Sequence, residues 1–230
     1  ITKATKAIVP VHYGSVCCDM DRLMTLAFKN NIFVVEDAAQ AVNAKYKNKY
    51  LGSFGQLGCF SFHESKNIHC GEGGAILIND EKLIEKANVV REKGTNRVQF
   101  ENNEVEKYSW VDLGSSYLLS ELQAAFLYAQ LINCDLLTSH RLALWDRYFN
   151  NLSDIDNITL AKISPNCQHN GHLFFIKLES ESVRRKLIIY LRKKGFLAAF
   201  HYVPLHSTKP GNKFGKFIGE DIYTTKDSER

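Results

Sequence analysis

Lys66 is the residue in this sequence whose type and position most clearly indicate chemistry. It follows the apolar run LGCFSF at residues 57–62 and precedes the glycine-rich residues 71–74. The apolar run predicts a buried strand, so the amine lies at a strand end, where a desolvated amine can attack a carbonyl carbon. Because most lysines are solvated surface charges, Lys66 needs suitable partners before it indicates a catalytic site.

Asp37 and Ser61 are two candidate partners. Asp37 follows the β-branched and aromatic run at residues 32–35, which predicts a second buried strand. Its carboxylate either caps the turn of residues 38–41 or lies under a heterocyclic cation, as pyridoxal phosphate requires to keep its ring nitrogen protonated. Ser61, five residues before Lys66, is either an ordinary strand serine or a donor to the phosphate of that cofactor.

Hydrophobic patterns predict the elements that position these residues. A strand within residues 6–13, a helix at 19–31 and the strand at 32–35 form a β-α-β unit of a parallel sheet. Ligands of such sheets gather at the carboxyl ends of the strands, where His12 and Asp37 lie. The further predicted elements are strands at 57–62 and 75–78, helices at 81–90 and at 117–131 with continuation to 149, and a long loop at 91–112.

The sequence predicts two domains. Residues 1–135 form part of a large α/β domain, and residues 136–230 form a linker helix and a small α+β domain. The elements predicted for the small domain are strands at 173–178 and 196–200 and a helix at 182–194. Neither end resembles a natural terminus, so we expect a fragment without the N-terminal part of the large domain and without the C-terminal end.

The composition argues against several classes of protein. A hydrophobic content of 45% and a charged content of 23% are ordinary for a globular domain, and no run of about 18 apolar residues predicts a membrane span. A net charge of +4 is too small and too diffuse to indicate nucleic acid binding. The sequence contains no CxxC motif that would predict a metal site. We expect the six cysteines to be reduced thiols in a cytoplasmic protein.

Two runs carry a resemblance to a known family. VVEDAAQA at residues 34–41 and CFSFHESKNIHCGEGGAI at residues 59–76 resemble the DegT/DnrJ/EryC1/StrS sugar aminotransferases, which are pyridoxal phosphate enzymes. Lys66 follows Asp37 by 29 residues, and this spacing matches that family. The resemblance extends over nearly the whole chain through VHYG at 11–14, EKGTNR at 92–97, SELQAA at 120–125 and HYVPLH at 201–206.

The resemblance implies an α/β fold, the fold type I of aspartate aminotransferase, and a role for each matching residue. Lys66 corresponds to the lysine that binds the cofactor aldehyde as a Schiff base, and Asp37 to the partner of the pyridine nitrogen. Gln40 corresponds to the residue that packs near the 3-hydroxyl group of the cofactor, and Ser61 to a phosphate contact. Relatives in which histidine replaces the lysine are dehydratases, so Lys66 favours transamination.

Four further residues are weaker candidates. Many relatives have an asparagine before the long helix that reaches the phosphate in the partner subunit, whereas this chain has Ser116, whose reach is shorter. His63 either orients the site or is a structural histidine. His201 and His206 lie in the segment that approaches the nucleotide sugar in relatives, or they are surface histidines beside Pro204.

The same resemblance implies an activity. We expect a homodimer that transfers the amino group of L-glutamate to dTDP-4-keto-6-deoxy-D-glucose, which gives dTDP-4-amino-4,6-dideoxy-D-galactose and 2-oxoglutarate. One alternative is a transaminase of another nucleotide sugar, either a 3-keto or a UDP-linked one. The other is a truncated, inactive homologue.

Overall fold

The structure is a computed structural model that describes residues 1–221 and 224–229. The strands are β1 (Ala7–Ile8), β2 (Phe33–Asp37), β3 (Lys45–Tyr46), β4 (Lys49–Tyr50), β5 (Leu57–Ser61), β6 (Gly74–Ile78), β7 (Thr159–Leu160), β8 (Cys167–Gln168) and β9 (Ile176–Lys177). The helices are α1 (Met20–Lys29), α2 (Ile84–Arg91), α3 (Arg97–Glu101), α4 (Glu121–Leu131), α5 (Cys134–Leu152), α6 (Glu181–Lys193), α7 (Lys209–Phe214) and α8 (Thr224–Ser228).

The sheet that positions the site has the strand order β1-β2-β5-β6. β1, α1 and β2 form the predicted β-α-β unit, and β5 lies parallel to β2 with Asp37 opposite Cys59. β6 is antiparallel to β5, with Ser61 opposite Gly74, so the four-stranded sheet is mixed. The loop at residues 62–73 contains no helix, whereas parallel strands are usually joined through one. Because β2 and β5 are parallel, both strands end at the edge of the sheet where this loop begins.

Short-range contacts fix the bounds of two predicted helices. The Asp19 side chain accepts a hydrogen bond from Arg22 N, so α1 begins directly after it. The helix predicted from residue 117 begins at Glu121, because Ser120 and Gln123 form a reciprocal capping box. Residues 117–120 consequently remain outside the helix.

The long segment at residues 91–112 is not a plain loop. It contains α3, and it is closed by a β-bridge between Thr95 and Trp110. Gly94 makes this closure possible, because its φ is +77° and a Cβ would lie 1.9 Å from the carbonyl oxygen of Asp112. The segment thus has partners within its own unit.

The chain divides into two units within α5. One unit contains residues 1–147 and 163–173, and the other contains residues 148–162 and 174–230. In the second unit, α6 confirms the predicted helix, and the strand predicted at 173–178 is reduced to β9, which pairs with β7. The strand predicted at 196–200 is wrong: no strand pairs with this stretch, and Leu197 is 96% exposed.

A disulfide joins Cys17 to Cys167 and corrects the expectation of six free thiols. β8 pairs with β3 so that Cys167 lies opposite Tyr46, and the Cys17 sulfur is close to the carbonyl of Lys45. The 150 positions between the two cysteines explain why their spacing did not indicate a pair. The described cysteines outside this pair are free thiols.

The part of the chain that the structure describes has neither a membrane-spanning helix nor a cluster of metal ligands. None of the helices in that part is both long and apolar enough to span a membrane. In the same part, no three His, Cys, Asp or Glu side chains are arranged to hold a metal ion.

Candidate active site

The loop that carries Lys66 is closed by backbone hydrogen bonds between its two ends. Phe62 N donates to the Gly73 carbonyl at 2.7 Å, and Cys70 N donates to the Phe62 carbonyl at 2.9 Å. Within this closure, Lys66 N donates to the His63 carbonyl at 2.9 Å. Lys66 is therefore held in a hydrogen-bonded turn that follows β5.

The second half of the same loop is anchored on α4. Ile68 is 2% exposed and belongs to a buried apolar cluster that includes Leu127. The Gln130 amide Nε2 donates to the His69 carbonyl at 2.7 Å, and its Oε1 accepts from His69 N at 3.2 Å. Packing and hydrogen bonding thus restrain the backbone within three residues of Lys66.

The Lys66 side chain is half-buried and lines a narrow crevice. Two other segments line the same crevice. The segment after β2 contributes Ala39 and Gln40, and the segment after β8 contributes Asn170 and His172. Among the residues that the structure describes, the Lys66 amine has no hydrogen bond or ion pair. Within the described structure the amine is therefore not occupied by a polar partner.

Asp37 is the last residue of β2, and one of its two carboxylate oxygens is used locally. Oδ1 accepts a hydrogen bond from Ala39 N at 3.1 Å, as expected of a turn cap. Oδ2 has no hydrogen bond to any residue in the described part of the chain. Burial and, secondarily, the negative charge of Asp37 raise the pKa of the Cys59 thiol on β5. The carboxylate can thus cap the turn and still offer one oxygen to a cation.

Gln40 and Ser61 also lie at this edge of the sheet. Gln40 lines the crevice with Lys66, and its Oε1 accepts from Gly14 N at 2.6 Å. Ser61 ends β5, and its Oγ accepts from His63 N at 3.3 Å, which leaves the hydroxyl hydrogen for donation to another group. The structure therefore brings Lys66 and Gln40 into one crevice and places Ser61 at the start of the Lys66 loop.

The other predicted residues lie elsewhere. The His63 Nδ1 contacts Ser65 Oγ at 2.9 Å, and the His63 Nε2 is 3.6 Å from Glu72 Oε1, so this side chain interacts within its own loop. Ser116 is exposed and is not among the residues that line the crevice.

His201 and His206 both belong to the second unit. The His206 Nε2 is 2.5 Å from Asp221 Oδ2 and 3.2 Å from Thr225 Oγ1. The hydrogen bonds from Thr225 and His206 lower the pKa of Asp221 to about 2. His206 is therefore held by partners in its own unit, and the His201 ring stacks on that of Tyr202.

A buried pair of Glu36 and His12 lies directly beside Asp37 and was missed by the sequence analysis. Both side chains are 0% exposed, and Glu36 Oε2 is 3.1 Å from His12 Nε2. The His12 Nδ1 accepts a hydrogen bond from Cys18 N at 3.2 Å, so the ring proton is on Nε2 and is donated to Glu36. In the structure Ile32, Val34 and Glu36 are buried on one side of the chain, but residues 32–35 are all apolar, so the sequence alone did not show which side Glu36 takes.

Glu36 also holds the loop that precedes β5. Its oxygens accept hydrogen bonds from Gly52 N at 2.8 Å, from Phe54 N at 2.6 Å and from Gly55 N at 2.9 Å. Burial opposes ionisation of this carboxyl group, but the hydrogen bonds from His12 and from the three backbone amides outweigh it and lower its pKa. The buried carboxylate thus ties the loop before β5 to the end of β2.

The donor set at this edge fits pyridoxal phosphate. The Lys66 amine has no hydrogen bond or ion pair among the described residues, and an amine of this kind suits an aldehyde. One carboxylate oxygen of Asp37 also has no partner among those residues, and it suits a protonated pyridine nitrogen. Gln40 and Ser61 add an amide and a hydroxyl group at the same edge. The residues present are thus chemically suited to hold the cofactor.

Comparison with known proteins identifies the family. The sequence profile of the DegT/DnrJ/EryC1/StrS aminotransferase family matches residues 1–226. A curated relative, dTDP-3-amino-3,4,6-trideoxy-alpha-D-glucose transaminase of Streptomyces venezuelae, is 34% identical over 208 residues, which are 90% of this chain and 52% of that protein. The chain spans about half the length of the curated relatives it matches.

Solved structures agree with this assignment. S. venezuelae DesV, crystallised with a ketimine intermediate, superposes with a TM-score of 0.83 at 32% identity, over 95% of this chain and 56% of DesV. Helicobacter pylori PseC, an aminotransferase of pseudoaminic acid biosynthesis, has a TM-score of 0.87 at 26% identity, over 100% of this chain and 60% of PseC. The chain therefore belongs to the DegT/DnrJ/EryC1/StrS aminotransferase family, has the fold of part of these enzymes, and shares their cofactor class, pyridoxal 5′-phosphate.

Proposed function

We propose that the protein containing this chain is a pyridoxal phosphate-dependent aminotransferase of a nucleotide-linked keto sugar. The observation that carries the proposal is Lys66, which lines a crevice with Gln40 and whose amine has no hydrogen bond or ion pair within the described residues. Asp37, which ends the strand next to the one that leads to Lys66, supplies the carboxylate that this chemistry requires.

Each residue has a specific task in this proposal. Lys66 Nζ would hold the cofactor covalently and, when an amino donor displaces it, would take the α-proton of the donor as a base and return it as an acid. The free Oδ2 of Asp37 would hold the pyridine nitrogen in its protonated state. Ser61 Oγ would donate to the phosphate, and Gln40 would contact the ring. When bound, pyridoxal phosphate supplies an electron-withdrawing ring that stabilises negative charge at the reacting carbon.

We propose L-glutamate as the amino donor and dTDP-4-keto-6-deoxy-D-glucose as the acceptor, with dTDP-4-amino-4,6-dideoxy-D-galactose as the product. The support is the resemblance of KGTNR at 93–97, YSWVDLGSSYLLSELQAA at 108–125 and FHYVPLH at 200–206 to the transaminase of enterobacterial common antigen synthesis. His63, His201 and His206 are the proposed sugar contacts. A 3-keto sugar is the second candidate, because the Streptomyces venezuelae relative is a dTDP-3-amino sugar transaminase.

We also propose a cytoplasmic homodimer with shared active sites, in which Ser116 contacts the phosphate bound in the partner subunit. Three large apolar side chains before and along α4 are exposed and support this assembly: Trp110 at 79%, Leu113 at 87% and Leu122 at 86%. Exposed apolar surface of this kind is typical of a protein interface. Sedimentation of the complete gene product should give a dimer, and Leu122→Glu should shift it towards monomer. A cofactor-loaded monomer would contradict this proposal.

The activity is tested with the complete gene product, pyridoxal phosphate and L-glutamate. Separate reactions contain dTDP-4-keto-6-deoxy-D-glucose, its 3-keto isomer, or the UDP-linked 4-keto sugar, and each is analysed for 2-oxoglutarate and for the mass of the amino sugar. Turnover of the first sugar, absent in the Lys66→Ala variant, is the expected result. Preference for another sugar would revise the substrate, and no turnover with any sugar or donor would contradict the activity.

A further inference from the structure

Asn170 is the centre of a buried hydrogen-bond network beside the Lys66 crevice. It is 1% exposed, and its Nδ2 donates to the carbonyls of Gln40 at 3.0 Å and Val42 at 2.8 Å. Its Oδ1 accepts from His172 N at 2.9 Å, and its backbone N donates to Ser15 Oγ at 3.1 Å. A buried amide whose donors and acceptor are all used fixes the segments that it touches.

Asn67 connects this network to the catalytic loop. It is the residue after Lys66, and its Nδ2 donates to the Asn170 carbonyl at 3.0 Å. Its Oδ1 is 2.8 Å from His172 Nδ1, and because an amide oxygen only accepts, that nitrogen carries the ring proton. Both ends of the Asn67 amide are thus bound to the segment that follows β8.

We propose that Asn170 is a positioning residue that sets the placement of the Lys66 amine relative to the segment carrying Asp37 and Gln40. The inference rests on the proposed function of Lys66. Asn170 holds the backbone three and five residues after Asp37 through its side chain, and it holds the residue after Lys66 through its carbonyl. One buried residue therefore connects the two loops that supply the amine and the carboxylate.

The physical reason for such a device is the geometry of proton transfer. A single amine must reach the cofactor aldehyde and later the α-carbon of the donor, and a displacement of about 1 Å can cost on the order of 100-fold in rate. Lys66 is five residues beyond the end of β5, so the sheet alone does not fix its position. The Asn170 network supplies the missing restraint from outside the sheet.

Two variants test the proposal in the complete gene product. Asn170→Asp keeps the size of the side chain but removes both donors to the Gln40 and Val42 carbonyls. Asn67→Ala removes the connection to Lys66 at a half-buried position, so it remains informative if Asn170→Asp does not fold. Asn166→Ala is the matched control, because this exposed asparagine, one residue before β8, has no side-chain hydrogen bond in the described structure.

The first readout is the rate at which pyridoxal phosphate followed by borohydride labels Lys66 in the apoprotein, measured by peptide mass spectrometry. The second is kcat and KM for L-glutamate, and the third is the melting temperature. We expect both variants to lose labelling rate and kcat on the order of 100-fold well below their melting temperatures, with KM little changed and the control at wild-type values.

Two results would overturn the proposal, and they differ in what else they overturn. If the variants melt at lower temperature but label Lys66 and turn over at wild-type rates, Asn170 has a structural role only and the proposed function stands. If the wild-type protein itself is not labelled on Lys66, the proposed function fails together with the inference.

Discussion

Replacement of Glu36 by glutamine should strongly destabilise the protein. Oε1 of Glu36 accepts hydrogen bonds from Phe54 N and Gly55 N, and Oε2 accepts from Gly52 N and from His12 Nε2. An amide nitrogen in place of either oxygen faces two donors, so the glutamine side chain loses two hydrogen bonds in both orientations. At about 1.5–3 kcal/mol for each hydrogen bond to a charged group, the free energy of unfolding should fall by about 3–6 kcal/mol.

Chemical denaturation at pH 7, followed by circular dichroism, measures this loss in the complete gene product. Glu106→Gln is the control, because that carboxylate is exposed and has no hydrogen bond in the described structure. Folding lowers the pKa of Glu36 below its ordinary 4.5, so the carboxylate stabilises the protein above that pH and the stabilisation is lost as the pH falls through the lower folded-state pKa. A loss below about 1 kcal/mol at pH 7 would refute this account of the buried carboxylate.

Two further substitutions test the site and the loop closure. Asp37→Asn keeps the oxygen that accepts from the turn amide but removes the charge, so the fold should persist while kcat falls on the order of a thousandfold or more in a steady-state assay. Near-normal turnover would leave Asp37 as a turn cap only. Gly94→Ala should cost about 1–3 kcal/mol more than Gly71→Ala in denaturant unfolding, because both positions have positive φ but only at Gly94 would the Cβ overlap a backbone oxygen. Equal losses would contradict this reasoning.

Local patterns were sufficient to predict the elements that lead into the site. The β-branched run before Asp37 and the apolar run that ends at Ser61 correspond to β2 and β5, and the helical spacing after residue 120 corresponds to α4. The ends of these strands are where a parallel sheet binds its ligands, so the polar residues there could be singled out. The strand predictions agree with the structure because each apolar run and the polar residue that ends it lie within a few residues of each other.

Contacts between distant segments were not predictable from local patterns. The partner of Cys17 is 150 positions away, and the carbonyls that Asn170 binds belong to residues about 130 positions before it. The orientation of β6 follows from the loop that precedes it and not from its own residues, and Phe196 to Phe200 has strand propensity but no neighbouring strand in the described structure to pair with. The burial of Glu36 was likewise not predictable, because residues 32–35 are all apolar and the buried side of β2 is seen only in the structure.

The most direct test of the central claim is the position of the covalent cofactor label. The complete gene product is incubated with pyridoxal phosphate, reduced with borohydride, digested and analysed by mass spectrometry, with Lys66→Ala treated in parallel. The account predicts a pyridoxyl group on the peptide containing residues 62–72 and no label on that peptide in the variant. A label on Lys45, Lys47 or Lys93 instead, or equal labelling of the variant, would contradict the assignment of Lys66.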